Sequence, residues 1–395
     1  MTKSSAFSLL NKDIHLCVNP SEDRWIDPSQ FSLKDSERYA TLTNHKVRER
    51  FIQSRSALDI ALGDRPLQTL EFNHKKPVHP DGFVSLSHCS EGAAAIFSEK
   101  LEVGIDLESS RAQIVRIGHK FTCEDEKSKF VMPEQDQLQF IWGIKESLFK
   151  LYGYGNVDFK KHLHINSIQW NPWTAEGWGI AWVTQTCQQR PQPIQCLVQF
   201  RKIENLYLCI ATHRKPLVSF ESERLRLREW NQDDATWLRA LNANPNVIFY
   251  TGDTGFTSKE KALELIQTYP NYQRDGYGRW IVCLKENNTP IGWCGLKSNP
   301  WGIDLGFRFL EEYWNQGYGY EAARRVVDWA RSNGIKRLKG RTLSGNSASI
   351  RILEKVGMRH FQDVSIEEFA QVHSIEEPNL KRWSDQSLKN YNIDL

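Results

Sequence analysis

The chain has 395 residues, of which 40% are hydrophobic and 25% are charged, and its formal net charge is +3. This composition is typical of a globular protein in water, and the length predicts two domains, each long enough to bury its own core. The weak positive charge does not indicate a nucleic-acid partner, and no apolar run is long enough to span a membrane, so we expect neither as a partner.

The cysteines and the opening segment predict where the protein works. The eight cysteines are scattered without a Cys-x-x-Cys pair, which is typical of reduced thiols in a cytosolic protein rather than of disulfides or a zinc site. The segment MTKSSAFSLLNKD lacks the apolar core and cleavage site of a secretory signal. We therefore expect a cytoplasmic protein.

Helical segments and short strands share the first part of the chain. Apolar residues recur at helical spacing over residues 34–62 and stop before Gly63 and Pro66, which predicts one or two helices. The segments that follow are three strands, a helix and four more strands, over 82–89, 93–98, 101–108, roughly 134–152, 164–170, 178–185, 196–200 and 206–213.

A second domain is predicted to begin where this pattern breaks, around Pro216, and we place the boundary between residues 215 and 216. Its predicted elements are a strand, a group of helices, three strands, a helix, a strand and a helix; apart from the group of helices, they lie over 223–230, 279–284, 290–296, 303–310, 320–332, 337–343 and 347–356. The tail, 361–395, is acidic, irregular and only weakly strand-like. Both parts mix helices and strands, so the predicted class is α+β.

The strand VGIDLESS (103–110) carries two carboxylates on one face. Successive side chains of a strand point to opposite faces, so Asp106 and Glu108 project together, where their like charges repel. Two carboxylates on one face suit a hard divalent cation such as Mg²⁺, while a solvated strand edge would also accommodate them.

A third acid lies in the predicted helix FIWGIKESLFK (140–150). Trp142, Glu146 and Lys150 fall on one stripe of the helix, with Lys145 beside it. Such a helix could present Glu146 to a metal while the lysines hold phosphate. The alternative is an exposed Glu146–Lys150 ion pair, worth a few tenths of a kcal/mol.

These segments together resemble the 4′-phosphopantetheinyl transferase superfamily, of the surfactin-synthetase-activating type, whose members activate fatty-acid, polyketide and nonribosomal-peptide synthases. The matching motifs are FVSLSHC (83–89), VGIDLE (103–108) and WGIKESLFK (142–150), with KKP (75–77) and HKFTCEDE (119–126) as further family-like segments. The resemblance covers residues 1 to about 213. It implies a pseudo-dimer of two similar α/β halves with coenzyme A in the cleft between them.

The resemblance also implies roles for individual residues. Asp106, Glu108 and Glu146 would bind Mg²⁺ against the pyrophosphate of coenzyme A, and Glu146 would act as base for the serine of an acyl or peptidyl carrier protein. Lys150 would support the charge of the phosphates or the leaving group. The remaining coenzyme contacts would be Arg50, Lys76, Ser87, His88 and Lys145. Two departures from the family pattern are GYG (153–155) after the third motif and Asp59 where many relatives carry arginine.

In the second part, YWNQGYGYEAARRVVDWARSNG (313–334) reads as a glycine-rich turn that opens a helix. Backbone amides at such a helix start form an anion site, although a lone Gly-x-Gly often marks only a tight turn. With SERLRLREWNQDDATWLRALN (222–242), PIGWCGLK (290–297) and NSASIRILEKVGM (346–358), this segment resembles the GNAT acetyltransferase superfamily. The resemblance covers about 220–360, in the branch that acetylates protein N-termini such as those of ribosomal proteins.

This second resemblance implies a GNAT mixed α/β acyltransferase fold that uses acetyl-CoA. The pyrophosphate would lie on the backbone amides of Gln316, Gly317, Tyr318, Gly319 and Tyr320. Asn346 and Ser349 would contact the coenzyme arm, although Asn346 could equally cap a helix. Asp304 would accept the proton of the acceptor amine, and the alternative is an exposed carboxylate at a strand end.

The sequence therefore predicts a bifunctional enzyme that transfers phosphopantetheine to a carrier protein and acetyl groups to an amine, either a protein N-terminus or a small molecule. Because the tail could close the fold differently or leave the acceptor side incomplete, one alternative is a non-catalytic GNAT-like module that binds coenzyme or docks a partner. A non-enzymatic divalent-cation protein would explain the acids but not the lysines or the Ser-His motif.

Overall fold

The computed structural model describes residues 14–73, 76–214, 219–251, 255–256, 258–367 and 383–395. The chain divides into two compact units, Met1–Lys215 and Pro216–Leu395; the residues at the predicted boundary, 215 and 216, lie outside the described ranges. None of the described helices combines the length and the apolar character needed to cross a bilayer.

The described part of the first unit contains ten strands and five α-helices. The strands are β1 (Ile14–Val18), β2 (Glu71–Asn73), β3 (Lys76–Val78), β4 (Phe83–His88), β5 (Ala93–Ser98), β6 (Leu101–Ser109), β7 (Leu163–Asn171), β8 (Glu176–Val183), β9 (Ile194–Ile203) and β10 (Leu206–Arg214). The helices are α1 (Leu33–Thr41), α2 (His45–Leu62), α3 (Ile114–Ile117), α4 (Glu124–Ser128) and α5 (Glu134–Tyr152).

Capping residues set the ends of the two long helices. The side chain of Asn44 accepts a hydrogen bond from the Val47 amide and begins α2, which separates it from α1. Gly63, with a φ of 66°, ends α2, and Gly153, with a φ of 77°, ends α5. Glycine adopts these positive φ values without the penalty that a Cβ atom imposes.

The first unit has four layers, in the order helix, sheet, sheet, helix. The sheet β1-β5-β4 carries α2 on one face, and the sheet β6-β10-β9-β8-β7 carries α5 on one face. Apolar side chains such as Ile96, Ile105 and Leu208 fill the space between the two sheets. One helix on each sheet gives the two α/β halves that the sequence predicts.

Helix α5 rests directly on strand β6 and its neighbour β10. A Cβ atom built on Gly104 of β6 would lie 1.9 Å from the backbone oxygen of Ser147 on α5. A Cβ atom built on Gly143 of α5 would lie 2.7 Å from the sulfur of Cys209 on β10. Since neither position has room for a side chain, the helix backbone lies close against the sheet.

A buried ion pair anchors the same helix from its other side. Lys145 is fully buried, and its ammonium group donates to Glu126 Oε2 at 2.8 Å and to the carbonyl oxygens of Phe121 at 2.7 Å and Phe159 at 2.9 Å. The other oxygen of Glu126 accepts from the Ile165 amide at 3.0 Å. Burial lowers the pKa of Lys145, an effect that the Glu126 charge opposes. These contacts use all three donors of the lysine.

The second unit contains eight strands and six α-helices in its described part. The strands are β11 (Phe220–Glu221), β12 (Leu225–Arg228), β13 (Arg279–Leu284), β14 (Pro290–Asn299), β15 (Gly302–Phe309), β16 (Arg337–Leu343), β17 (Arg359–Ser365) and β18 (Ser387–Asp394). The helices are α6 (Ala235–Ala243), α7 (Pro245–Ile248), α8 (Lys259–Gln267), α9 (Asn271–Asp275), α10 (Tyr318–Ser332) and α11 (Ser347–Lys355).

One sheet, in the order β11-β12-β13-β14-β15-β16-β18-β17, runs through the second unit. Strands β15 and β16 are parallel and pair only at Asp304 and Lys339, whereas β14 and β15 pair from end to end. The ladder between β15 and β16 therefore stops after one position, and the rest of their facing edges is open to a ligand.

The tail completes this sheet. Strand β18 lies between β16 and β17 and is antiparallel to both, so the described residues of the tail do form a closing strand pair. The strand pattern is weak because most side chains of β17 are exposed on both faces. Residues 368–382 of the tail lie outside the described residues.

We predict that Lys145→Met destabilises the first unit by about 3–5 kcal/mol, because it leaves the Glu126 charge buried without its partner. Urea denaturation of the full chain measures this change. Lys161→Met is the matched control, since the Lys161 side chain is exposed and its ion pair with Asp158, at 3.9 Å, is worth less than about 1 kcal/mol. Equal unfolding midpoints for the two variants would contradict the assigned role of the buried pair.

Candidate active sites

Three side chains from the three sequence motifs of the first unit meet at one point. Asp106, on the face of β6 that carries α5, is 2% exposed. Its Oδ1 atom accepts from the Ser87 hydroxyl of β4 at 3.0 Å and from the Lys150 ammonium of α5 at 2.7 Å. Lys150 also donates to Ser87 Oγ at 2.8 Å. The direct contact of α5 with β6 brings these groups within hydrogen-bonding distance.

The carboxyl groups around Asp106 lie in an environment with an excess of negative charge. Burial and then the Asp106 carboxylate raise the pKa of Glu146 to about 7, against the opposing charge of Lys150. The same two causes, in the same order, raise the pKa of Glu108, which also forms an ion pair with Arg111. Asp106, Glu108 and Glu146 therefore share one electrostatic environment that favours a further cation.

The donor set fits Mg²⁺ in its chemistry. The second oxygen of Asp106, Oδ2, is buried and accepts no hydrogen bond. Among the described residues, no three His, Cys, Asp or Glu side chains form a group that could hold a metal ion by itself. Mg²⁺ usually takes only one or two protein carboxylates and completes its shell with water and phosphate oxygens. The unpartnered oxygen and the crowded carboxyl groups fit such an open site.

Lys145 does not belong to this site, and the prediction that it binds the coenzyme is wrong. Adjacent residues of a helix point about 100° apart. This turn directs Lys145 into the core, onto Glu126, rather than alongside Glu146. All its donors are engaged there, so none is left for a phosphate.

The other predicted coenzyme contacts of this unit are more dispersed. His88 is exposed at the end of β4, next to Ser87, and Arg50 is half-buried on α2. Neither residue has a hydrogen bond or ion pair to the Asp106 cluster within the described structure. Lys76 donates to the Leu151 carbonyl oxygen at 2.5 Å, and burial lowers its pKa to about 8.

Lys76 lines a cavity of about 470 Å³ together with Glu102, Tyr152 and Arg190. Burial acts to raise the pKa of Glu102, but hydrogen bonds from His213 and Arg190 and the charge of Arg190 outweigh it and lower this pKa to about 2. Arg190 could not be predicted from the sequence, because the loop that carries it has no motif. The Glu102–Arg190 ion pair gives the cavity a fixed charged wall.

In the second unit, the predicted pyrophosphate loop opens helix α10. Gly317 precedes the helix with a φ of 82°, and the first helical bond runs from the Glu321 amide to the Gly317 oxygen. The amides of Tyr318, Gly319 and Tyr320 lie in the first turn, where amides have no partner within the helix. Gln316 holds the preceding turn by donating to the Glu312 oxygen at 2.8 Å.

The start of α10 also carries a carboxylate, which is kept away from an incoming anion. Glu321 accepts from the Ser222 hydroxyl, the Arg224 amide and Arg224 Nε, each at 2.7 Å. Arg224 also donates to the Gln316 oxygen at 3.2 Å. The arginine therefore neutralises the only acid in this first turn and supports the loop.

The open edge between β15 and β16 forms part of a cavity of about 270 Å³. Asn346 and Ser349, the two residues predicted to contact the coenzyme arm, line this cavity. Asn346 caps α11, because its side chain accepts from the Ser349 amide at 3.1 Å. The capping alternative is thus realised in the structure, and it positions both residues at the cavity wall. Trp383 and Leu388 bring the tail to the same cavity.

Asp304 lies in a different environment from the predicted one. Arg279 Nη2 donates to its Oδ2 atom at 2.5 Å, and Arg279 Nη1 donates to the Gly295 carbonyl oxygen at 2.5 Å. Asp304 is not among the described residues that line the cavity. The structure therefore gives this carboxylate an ion pair within the sheet in place of the predicted contact with an amine.

We predict that Glu146→Gln stabilises the chain at pH 8 but not at pH 4. The native pKa of about 7 lies above the ordinary value of 4.5, so between these values the native state binds more protons than the unfolded state. Stability from this group is therefore lost as the pH rises from about 4.5 to 7. Removing the charge should regain about 1–3 kcal/mol above pH 7, measured as the difference in urea unfolding between the two pH values.

Glu134→Gln is the control for this measurement, because Glu134 is exposed on the same helix. It should change stability little and equally at both pH values. If Glu146→Gln behaves in the same way, the crowding of carboxyl groups around Asp106 is not what the structure indicates.

Both units match known families. Residues 102–198 match the profile of the 4′-phosphopantetheinyl transferase superfamily, and residues 224–359 match the acetyltransferase (GNAT) domain. The uncharacterized protein YkkB of Bacillus subtilis is 29% identical over 151 residues, 36% of this chain and 86% of that protein. The uncharacterized N-acetyltransferase YoaA of Bacillus subtilis is 29% identical over 144 residues, 35% of this chain and 81% of that protein.

A crystal structure of a GNAT-family acetyltransferase from Bacillus anthracis is 21% identical and covers 45% of this chain and 98% of that one, with a TM-score of 0.36. The family matches and the order of motifs agree with each other along the chain. The chain therefore carries a domain of the 4′-phosphopantetheinyl transferase superfamily followed by a GNAT acetyltransferase domain.

Proposed function

We propose that the first unit transfers 4′-phosphopantetheine from coenzyme A to a serine of an acyl or peptidyl carrier protein, in a Mg²⁺-dependent reaction. The observation that carries this proposal is the meeting of Ser87, Asp106 and Lys150 beside a carboxyl group, Glu146, whose pKa is near neutral. We further propose that the second unit transfers the acetyl group of acetyl-CoA to an amine. Both reactions take place in the cytoplasm in this proposal.

In the first reaction the serine oxygen of the carrier forms a bond to the β-phosphorus, and the bond from that phosphorus to 3′,5′-ADP breaks. Mg²⁺ held by Asp106, Glu108 and Glu146 would neutralise charge on the pyrophosphate and on the leaving group. In this proposal Glu146 also accepts the proton of the serine hydroxyl as the base of the reaction.

Lys150 contributes a positive charge that the site already holds in place. Its ammonium bridges Ser87 and Asp106 with two hydrogen bonds, and an ammonium has a third donor to offer. A phosphate oxygen of the coenzyme would take that donor, which is a strong charge-assisted contact. The lysine thus links the acidic cluster to the substrate.

In the second reaction the amine nitrogen bonds to the acetyl carbon, the thioester C–S bond breaks, and the proton released by the nitrogen goes to the leaving thiolate. The free amides at the start of α10 suit the pyrophosphate of acetyl-CoA. The cavity beside β15 then takes the acceptor.

A second candidate function for this unit is binding of the coenzyme without turnover. It is favoured by the ion pair of Asp304 with Arg279 and by the absence of Asp and Glu among the described residues that line the cavity. Acetyl transfer is still chemically reasonable, because an amine that arrives neutral needs no protein base.

The first activity is tested by intact mass spectrometry of an apo-carrier protein incubated with the full chain, coenzyme A and Mg²⁺. We expect the carrier to gain one phosphopantetheine group, and we expect EDTA or Glu146→Gln to reduce the rate at least 100-fold, the scale of general base catalysis. Glu134→Gln should retain the rate. If none of several carrier proteins gains a phosphopantetheine group although coenzyme A is bound, this assignment is contradicted.

The second activity is tested with two glycines at opposite ends of α10. Gly317 and Gly334 both have a positive φ, 82° and 75°, so alanine strains both positions in the same way. We expect Gly317→Ala to weaken acetyl-CoA binding about tenfold in calorimetry, whereas Gly334→Ala should bind as the parent does. Equal affinities would contradict a coenzyme site at the start of α10.

The same samples are then assayed for thiol release with peptide amines as acceptors. Release that falls with Gly317→Ala supports acetyl transfer. Binding of acetyl-CoA without release on any amine would favour the non-catalytic candidate.

A further inference from the structure

Lys76 is anchored at the C-terminal end of helix α5. Its ammonium donates to the Leu151 carbonyl oxygen at 2.5 Å, one of the last carbonyls of the helix, which lack a partner within the helix. Its stem crosses Gly153, since a Cβ atom built there would lie 2.5 Å from Lys76 Cδ. An ammonium has three donors. Because Lys76 uses one of them within the described part of the chain, two remain for a ligand in the cavity that it lines.

Glu102 is the buried acid of the same cavity. It lies on the face of β6 that also carries Asp106, four residues earlier in the chain, and therefore about 13 Å away along the strand. Arg190 Nη2 donates to its Oε2 atom, and His213 Nδ1 lies 3.5 Å from the same oxygen. Among the described residues, Glu102 has ion pairs with these two side chains and none with Lys76.

The loop between β8 and β9 fixes Arg190 beside Glu102. Two backbone hydrogen bonds, each of 2.9 Å, join Arg190 and Cys187 and close a tight turn. The Arg190 guanidinium also lies 5.9 Å from the centre of the Tyr154 ring. The side chains of Arg190 and Glu102 are only 14% and 7% exposed, so the loss of Arg190 would leave a carboxylate inside the protein without its main partner.

The charges of Glu102 and Arg190 both act on Lys76. Burial lowers the pKa of Lys76 to about 8; the charge of Glu102 opposes this change, and the charge of Arg190 adds to it. Glu102 is therefore close enough to attract the ammonium, and Arg190 occupies the carboxylate that would do so. The other titratable side chains of the described lining are His79, Asp81, Glu99, Tyr152 and Tyr154. The two acids in this list are more than half exposed, so water screens their charges.

We propose that Arg190 and Glu102 are positioning residues for coenzyme A. Arg190 holds the Glu102 carboxylate away from Lys76, which leaves the Lys76 ammonium to bind the phosphate on the ribose of the coenzyme. The inference rests on the proposed transfer of phosphopantetheine, in which Mg²⁺ at Asp106 takes the pyrophosphate. Without Arg190, the buried carboxylate would pair with the ammonium and compete with the ribose phosphate.

The test compares calorimetric binding of coenzyme A and of dephospho-coenzyme A, which lacks the ribose phosphate, to the full chain. We expect the chain to prefer coenzyme A about tenfold, the scale of one hydrogen bond between charged groups. Arg190→Gln should remove this preference, as Lys76→Gln does. Arg190→Gln combined with Glu102→Gln should restore it, because the competing carboxylate is gone.

Arg65→Gln is the matched control for these variants. Arg65 also forms an ion pair with an acid of the cavity lining, Glu99, but this acid is half exposed. The released Glu99 carboxylate would remain in water, so this variant should keep the preference of the parent chain for coenzyme A.

A second arm reports the charge of Lys76 without any coenzyme. Competitive labelling of lysines with acetic anhydride, read by peptide mass spectrometry at a series of pH values around 8, gives the pH at which half of Lys76 is neutral. A nearby cation favours the neutral amine and a nearby anion favours the ammonium. We therefore expect this midpoint to rise in Arg190→Gln and to fall in Glu102→Gln. Equal midpoints in both variants and the parent chain would contradict the proposal.

The remaining outcomes separate this proposal from its alternatives. A preference for coenzyme A that survives in Arg190→Gln would overturn it. A preference that stays lost in the double variant would also overturn it, because Arg190 would then bind the phosphate itself. The expected binding and labelling results, with no carrier protein modified, would support the positioning roles and reject the transfer. Modification of a carrier, with equal binding of the two coenzymes to the parent chain, would overturn the positioning roles and leave the transfer standing.

Discussion

The first unit depends on the direct contact of helix α5 with strand β6. Helix and sheet lie so close at Gly104 and Gly143 that neither position has room for a side chain. The polar groups next to these glycines are therefore held close to one another. Asp106 lies on the same strand face as Gly104, and Lys150 reaches it from the helix at 2.7 Å. The contact that packs the core thus also concentrates three acids, and the energy of that crowding is available to bind a cation.

Two buried carboxylates of this unit differ in how fully cations and hydrogen-bond donors compensate their negative charge. Glu126 is matched by Lys145 and by backbone and side-chain donors, so its charge is stable inside the core. Asp106 has donors on one oxygen only, and burial together with the charge of Asp106 raises the pKa of Glu146 to about 7. A fully satisfied buried pair holds elements together, whereas an acid with a missing partner is a candidate for a functional site.

Strand and helix periodicity predicted much of this arrangement from the sequence. Alternation on β6 predicted that Asp106 and Glu108 share one strand face, and helical spacing predicted that Glu146 and Lys150 share one stripe of a helix; the predicted helix over roughly 134–152 is α5. The environment of Lys145 could not be predicted, because it depends on Glu126 from a distant segment. The ion pair of Asp304 could not be predicted either, because its partner, Arg279, comes from β13. Strand β17 could not be predicted because it has too few buried side chains to show a strand pattern.

The central claim is that the carboxylates around Asp106 form an open metal site that the coenzyme completes. Calorimetric titration of Mg²⁺ into the full chain, with and without coenzyme A and with coenzyme A alone as the blank, tests it most directly. The account predicts weak binding to the chain by itself, at least tenfold tighter binding with coenzyme A, and loss of the difference in Asp106→Asn. Equal affinity with and without coenzyme A, or a difference that survives in Asp106→Asn, would contradict it.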